Sequence, residues 1–396
     1  MAIGTPFHPR VEPLCHSYDW TQWSGYLVVS SYSDFVQPEY AAIRNSAALI
    51  DVSPLYKYEV SGRDAAALMD RIITQHADAM AVGQVVYTPW LDGDGKVRQE
   101  GTAFRLAEDT FMVAAAEPAF HWIRANGRGY DVALRDRSTE LAALSLQGPH
   151  SRAILSQLCG EGVSELVFFH ATQAHLAGAE VMVSRTGYTG DLGYEIWIGT
   201  QDALTVWDAL LEVGRQWQIM PCGLTAMDIA RVEAGFILIG VDYTSSEFAH
   251  IDEDKVSPYE IGLGWTVKLD KGNFVGRNAL LRERERADPP RRLVGLEIDW
   301  QPLEDVFMAR DLMPDLPMTV CREPVPVYSG GAQVGRASSR VWSKRLKKYL
   351  ALATVRTAAA TLGAELEMEV TVQYERCRVP AKVVKPAFFR PERMRA

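Results

Sequence analysis

The sequence has no C-x-x-C pair: its five cysteines, Cys15, Cys159, Cys222, Cys321 and Cys377, stand singly. An odd, scattered set excludes a disulfide framework and a zinc ribbon, and predicts reduced thiols in a reducing compartment. Histidine is equally sparse. Its eight residues form no H-x-x-x-H pair, so no metal site is expected. No run approaches the ~18 apolar residues of a membrane span, and the N-terminus lacks a basic segment followed by an apolar one. These absences predict a cytoplasmic chain with no membrane partner. Basic charge is also short, with 41 Lys and Arg against 50 Asp and Glu and a net charge of −9. A broad nucleic-acid footprint needs clustered cations and is therefore not expected. Phosphate-binding loops, dinucleotide glycine fingerprints and nucleophile elbows are missing as well.

What remains is a chain of 396 residues, 47% hydrophobic and 23% charged, which is globular in composition and long enough for two or three domains. Residues 1–35, with Tyr18, Trp20, Trp23 and Tyr26, read as an irregular aromatic arm. Tyr40, Ile43, Ala47 and Leu49 recur at helical spacing, followed by an extended run over 51–60 that Ser61-Gly62 ends. A helix is expected over 63–73. Residues 85–116 alternate extended runs with turn signals and predict an antiparallel meander. Its Asp92-Gly93-Asp94-Gly95 is a hairpin turn: a calcium loop needs Gly and Glu where this chain has Val97 and Ala103. Helices near 149–158 and after Pro221, strands around 179–184 and 194–198, and a strand over 262–269 complete the first part. A charged, proline-containing link at 282–292 then precedes a small β domain.

The most informative stretch is Ser184-Arg185-Thr186-Gly187-Tyr188-Thr189-Gly190-Asp191-Leu192-Gly193-Tyr194-Glu195-Ile196. Glycine-flexed turns can bring an aromatic ring and a carboxylate to one strand edge. A carboxylate there can accept two parallel hydrogen bonds from an amidine-like edge, which pterins, guanines and arginine all present. Taken alone, Glu195 reads equally as a surface strand residue.

With Arg44-Asn45-Ser46-Ala47-Ala48-Leu49-Ile50-Asp51-Val52-Ser53, Leu146-Gln147-Gly148-Pro149, Arg231-Val232-Glu233-Ala234-Gly235, Gly262-Leu263-Gly264-Trp265, Asp270-Lys271-Gly272-Asn273-Phe274-Val275-Gly276, Gly335-Arg336-Ala337-Ser338-Ser339 and Val383-Val384-Lys385-Pro386, this stretch resembles the glycine-cleavage T-protein (aminomethyltransferase) superfamily. The resemblance implies an α+β, three-domain ring around a central folate-binding channel, with a C-terminal β-barrel-like domain. Residues 1–60 and 145–281 would form the folate-binding core, 61–144 an inserted domain and 282–396 the barrel. Tetrahydrofolate is the implied cofactor, with its pterin against Glu195 and Tyr188, near Tyr87, and with Arg231 and Trp265 as further binding residues. Tyr87 and Tyr188 also read as plain core aromatics.

The resemblance further implies that N5 of tetrahydrofolate attacks a one-carbon unit beside an anion. T-proteins carry a pair of aspartates where this chain has Gln99-Glu100, which makes Glu100 the catalytic candidate against a reading as an exposed strand carboxylate. They also carry Ala-Arg-Asp where this chain reads Ala226-Met227-Asp228, and an Asn after the strand that here ends at Ala116. Those departures resemble the demethylase branch, and predict methyl transfer from a small O-, S- or N-methylated donor to tetrahydrofolate. Trp20, Trp23 and Trp90 are then candidates for the donor site, through cation–π attraction or stacking, against the reading that the arm aromatics only pin it down. Two alternatives stand beside this: a true T-protein, whose partner is a lipoyl carrier protein, and a non-catalytic folate-binding accessory protein. Relatives of the latter kind carry Lys-Gly-Cys-Tyr-x-Gly-Gln, and this chain lacks that cysteine at Asn273.

Overall fold

Extended runs broken by turn signals fold residues 85–115 into three antiparallel strands, Val85–Leu91, Val97–Ala107 and Thr110–Ala115, seen in the computed structural model that describes residues 2–286 and 289–395. Tyr56–Ser61 and Ala133–Asp136 complete a five-stranded sheet in the order 85–91, 97–107, 110–115, 56–61, 133–136. The Asp92–Gly95 turn is a hairpin, as expected, with Asp92 Oδ1 accepting from the amides of Asp94 (3.0 Å) and Lys96 (2.9 Å). Helix Ala65–Ile72 buries Leu68, Met69 and Ile72 on one face of this sheet.

A second, six-stranded sheet runs in the order Ala171–Leu176, Ala179–Ser184, Gly193–Gly199, Leu141–Gln147, Ala47–Asp51, Ile219–Pro221. Helices Ser151–Cys159 and Ala203–Gly214 bury Ile154, Leu155, Val206, Trp207 and Leu210 against one face. Helices Gln37–Asn45 and Leu224–Ala234 pack with its other face. The third unit is a closed six-stranded barrel, Arg291–Ile298, Lys348–Arg356, Ala332–Ser343, Val325–Ser329, Glu365–Val372 and Glu375–Val384 in barrel order. Closure leaves this small unit without an unpaired sheet edge.

Three readings of the sequence are corrected. The first 35 residues are not an irregular arm: Ile3–Gly4, Tyr26–Ser31 and Asp19–Trp23 form a three-stranded sheet. Ser24-Gly25, both at positive φ, joins Trp23 to its partner Tyr26 in a two-residue hairpin. The expected strand over 262–269 is a single 3-10 turn, Gly264–Thr266, because the Thr266 hydroxyl donates to the Leu263 carbonyl (2.7 Å) and closes the chain on itself. The expected link at 282–292 is partly helical, since helix Arg277–Glu285 runs into it; residues 287 and 288 lie outside the described residues. Among the described residues, no helix is long and apolar enough to cross a membrane.

The units are joined by buried ion pairs rather than by apolar contact alone. Arg44 is fully buried between Glu233 (2.7 Å) and Asp191 (3.4 Å). Glu233 also accepts from Tyr40 Oη and from the barrel's Ser343 Oγ, each at 2.6 Å. A buried carboxylate so fully bonded is tolerable where an unpaired one is not, and it ties helix to barrel.

Candidate functional site

The hairpin register decides which side chains meet. Pro89 pairs with Glu100 and Tyr87 with Thr102, so Tyr87 and Glu100 share one face, while Trp90 and its partner Gln99 take the other. Gln99 is buried with its amide spent on the backbone, accepting from Glu117 N (3.2 Å) and donating to Pro118 O (3.5 Å). Of the Gln99-Glu100 pair, Glu100 alone therefore faces the site. Trp90 is buried in the core beneath the five-stranded sheet and stacked on Trp122 at 6.4 Å, away from Tyr87.

Glu100 is only partly accessible and accepts a hydrogen bond from the hydroxyl of Tyr243. Burial pushes its carboxyl up to about 7. Tyr243's hydrogen bond opposes that rise, and the charges of Asp242 and Glu117 add to it. Tyr87 and Tyr243 are both raised by burial and then by the charge of Glu100. Tyr188 is also raised, first by burial; its hydroxyl donates to Ile237 O and its ring stacks on Phe236 at 5.7 Å. The cluster thus holds one carboxyl and three tyrosines from three parts of the chain.

Glu195 sits in the central strand Gly193–Gly199, opposite Ser145 on one side and Ser184 on the other. Its Oε2 accepts from Thr186 Oγ1 (2.5 Å), Thr186 shares a bond with Ser184 Oγ (2.7 Å), and Trp197 Nε1 donates to Ser184 Oγ (3.2 Å). Burial raises its pKa, partly offset by Thr186. Among the described residues no donor reaches Oε1, and the neighbouring Ser145 hydroxyl is buried without a partner. The glycines around it have a steric reason. Gln147 lies under the loop, accepting from Thr189 Oγ1 (2.7 Å) and donating to Thr186 O (3.4 Å). A Cβ at Gly187 or Gly193 would come within 2.3 or 2.1 Å of its amide.

The remaining candidates are placed differently. Arg231 is completely buried and bonds Asp228 (2.7 Å), Asp242, Ser339 Oγ (2.9 Å) and Phe236 O (3.1 Å). Four of its five N–H donors are spent on its own helix, the loop after it and the barrel, so it is a buried tether rather than an exposed group. Trp265 is 59% exposed on the 3-10 turn, beside the strand that carries Tyr87. Trp20 and Trp23 lie three apart in one strand and hence on opposite faces. Trp20 packs with His8 (5.3 Å) on one core and Trp23 on another, while Tyr18 is 85% exposed. The aromatic arm forms no shared box.

Asp70, His76 and Asp78 bring ligand atoms within 4.8 Å of one another, but the Lys271 ammonium already lies 2.9 Å from Asp70. Sequence reasoning missed Tyr243, Asp242 and Phe236. The one available signal was an Asp-Tyr step inside the apolar run 236–243, and only a non-local fold brings it to Glu100.

A model of the GCVT N-terminal domain matches residues 14–271, and one of the glycine cleavage T-protein C-terminal barrel domain matches residues 291–390. The chain belongs to the glycine cleavage T-protein family. An aminomethyltransferase of Halothermothrix orenii is 32% identical over 93% of this chain and 95% of its own length. One of Bacillus pumilus is 31% identical over 96% and 98%. A trimethylamine-oxide aldolase of Ruegeria pomeroyi is 33% identical over the whole of this chain but 48% of its own length. A crystal structure of the glycine cleavage system aminomethyltransferase T from Bartonella henselae superposes with TM-score 0.82 at 22% identity, covering 98% of this chain and 99% of that one, which establishes the T-protein fold. The T-protein relatives so named are enzymes, and this chain is an enzyme of that family.

Proposed function

We propose that this T-protein family member transfers a one-carbon unit from an amine-bearing donor to tetrahydrofolate, in the manner of an aminomethyltransferase. The observation that carries the reading is the carboxyl of Glu100, held by Tyr243 between Tyr87 and Tyr188. The relatives' names support the donor class: aminomethyltransferase and trimethylamine-oxide aldolase both denote substrates with carbon on nitrogen. That support favours an aminomethyl donor, such as an aminomethylated lipoyl carrier, over the methyl donor expected from the sequence.

The residues fit a folate. The open Oε1 of Glu195 and the unpartnered Ser145 hydroxyl offer acceptors to a planar N–H and amino edge, and Tyr188 with Phe236 offers an aromatic wall. Trp265, exposed beside the strand of Tyr87, can cover a more distal part of the ligand. Bound tetrahydrofolate would supply the two nitrogens that take the carbon, their protons ending on the carrier thiol and the released ammonia. Because Glu100 is poised at about 7, it is available in both forms near neutrality. As the acid it can pass its proton to the departing amine nitrogen; as the carboxylate it stabilises positive charge developing beside it. The carbon keeps its oxidation level throughout, so no redox partner is needed.

The second reading, methyl transfer from an O-, S- or N-methylated donor, is favoured by Gln99, Glu100 and Met227 standing where T-proteins carry other residues. One experiment separates the two. Purified protein and tetrahydrofolate are mixed with an aminomethylated lipoyl carrier protein or with a panel of methylated donors, and the folates are resolved by chromatography. Methylenetetrahydrofolate from the carrier supports the first reading and 5-methyltetrahydrofolate from the panel the second. No folate product from either would defeat both.

A further inference from the structure

Tyr243 has no counterpart among the residues read from the sequence, yet it makes the hydrogen bond to Glu100. Its ring is buried among Leu91, Val97 and Ile237, which leaves it one orientation. Its backbone is pinned as well: its carbonyl accepts from Gly240 N (2.9 Å). The preceding residue, Asp242, accepts from Arg231, from Leu238 N (2.9 Å) and from two barrel hydroxyls, Ser338 Oγ (2.6 Å) and Ser339 Oγ (2.7 Å). The loop is therefore clamped between the core helix and the barrel, while Glu100 comes from the inserted sheet.

We propose that Tyr243 is a positioning residue for Glu100: its hydroxyl, held by the Asp242 clamp, fixes where the carboxyl points and how readily it gives up its proton. The proposal rests on the reading that Glu100 takes part in carbon transfer. The other groups facing Glu100 are Tyr87 on its own sheet, Tyr188, Asp242 and Glu117, with Arg231 behind Asp242. Asp242 and Glu117 favour the protonated acid, and Tyr243's donated bond favours the carboxylate. Removing that bond leaves only the hydrogen bond from Glu100's own backbone opposing the acid-favouring influences. The clamp also makes the proton affinity of Glu100 depend on how the barrel sits, because Ser338 and Ser339 help to hold the loop that carries Tyr243.

The test is a titration of protein labelled with 13C at glutamate carboxyl carbons, with the Glu100 signal assigned by its loss in Glu100→Gln. In Tyr243→Phe the midpoint should move alkaline from about 7 by about one pH unit, roughly tenfold in proton affinity. The corresponding limb of the kcat profile should move with it, while KM for tetrahydrofolate changes less than about twofold. Incorporating 3-fluorotyrosine at position 243, a stronger donor of the same shape, should move the midpoint the opposite way. This keeps the test open if Tyr243→Phe does not fold. A midpoint unmoved in folded Tyr243→Phe, or unmoved by fluorination, overturns the proposal. If the midpoint moves as expected but no donor yields a folate product, the coupling of Tyr243 to Glu100 is supported and the reading of the reaction falls instead.

Discussion

Asp242→Asn removes one negative charge from the buried cluster that joins core helix, loop and barrel. Arg231, completely buried, is shared between Asp228 at 2.7 Å and Asp242, and Asp228 is itself shared with Arg322 at 2.9 Å. Taking one partner from a buried ion pair costs about 3–5 kcal/mol, because the remaining charge stays desolvated. Asp228 still faces Arg231 in the variant, so the lower end applies: about 3 kcal/mol, or roughly a hundredfold in the folded-to-unfolded ratio. Urea unfolding followed by both tryptophan fluorescence and far-UV circular dichroism measures it. Arg231→Met should cost at least as much, since it leaves Asp228 and Asp242 without the cation between them. Arg231→Met combined with Asp242→Asn should cost clearly less than the sum of the two single changes, because the cation and its partner charge are removed together. A cost below about 1 kcal/mol for Asp242→Asn, or strict additivity in the double variant, would refute the view that this cluster is a mutually dependent tether.

Glu195→Gln should weaken tetrahydrofolate binding about 10- to 100-fold in calorimetry, because the amide is uncharged and, if its oxygen keeps the bond from Thr186, it turns an NH2 group toward the ligand's donor edge; unchanged affinity would remove Glu195 from the pterin site. Gly193→Ala should cost about 1–3 kcal/mol and loosen Thr186, since its Cβ meets the Gln147 amide at 2.1 Å; a thermal midpoint equal to wild type would show that Gln147 can move aside. Lys57 is buried and lowered to about 7 by burial, against the attraction of Asp51 and Asp136. Between that value and its ordinary one near 10.5 the unfolded chain binds the extra proton, so stability should rise with pH over this window, by about 5 kcal/mol in all. Lys57→Met should abolish that rise, and an identical slope in both proteins would show that Lys57 is not its source.

Much of the candidate site was legible because its residues sit in short, locally ordered motifs. Asp92-Gly93-Asp94-Gly95 sets the hairpin, the hairpin sets the register, and the register puts Tyr87 and Glu100 on one face. The Thr186–Glu195 stretch shows its glycines and its carboxylate directly, and the clearance Gln147 needs explains those glycines. The arm was misread because Trp20, Trp23 and Tyr26 drew attention as aromatics, while the Ser24-Gly25 turn and the alternation of a strand decide their directions. The segment after Gly262 was misread because an apolar run carries no sign that a threonine hydroxyl will cap a turn inside it.

The sequence by itself determined the meander, the hairpin and the family likeness, all carried by residues close together in the chain. Only the tertiary structure decided that Gln99 turns away, that Arg231 is spent on Asp228 and Asp242, and that Tyr243 reaches Glu100 across 143 positions. The last of these joins a side chain of the five-stranded sheet to one from the loop after helix Leu224–Ala234, and no local spacing encodes such a meeting. Burial then changes the chemistry: the same glutamate that would be an ordinary acid on an open strand is poised near neutrality once three tyrosines and the Asp242 loop close around it.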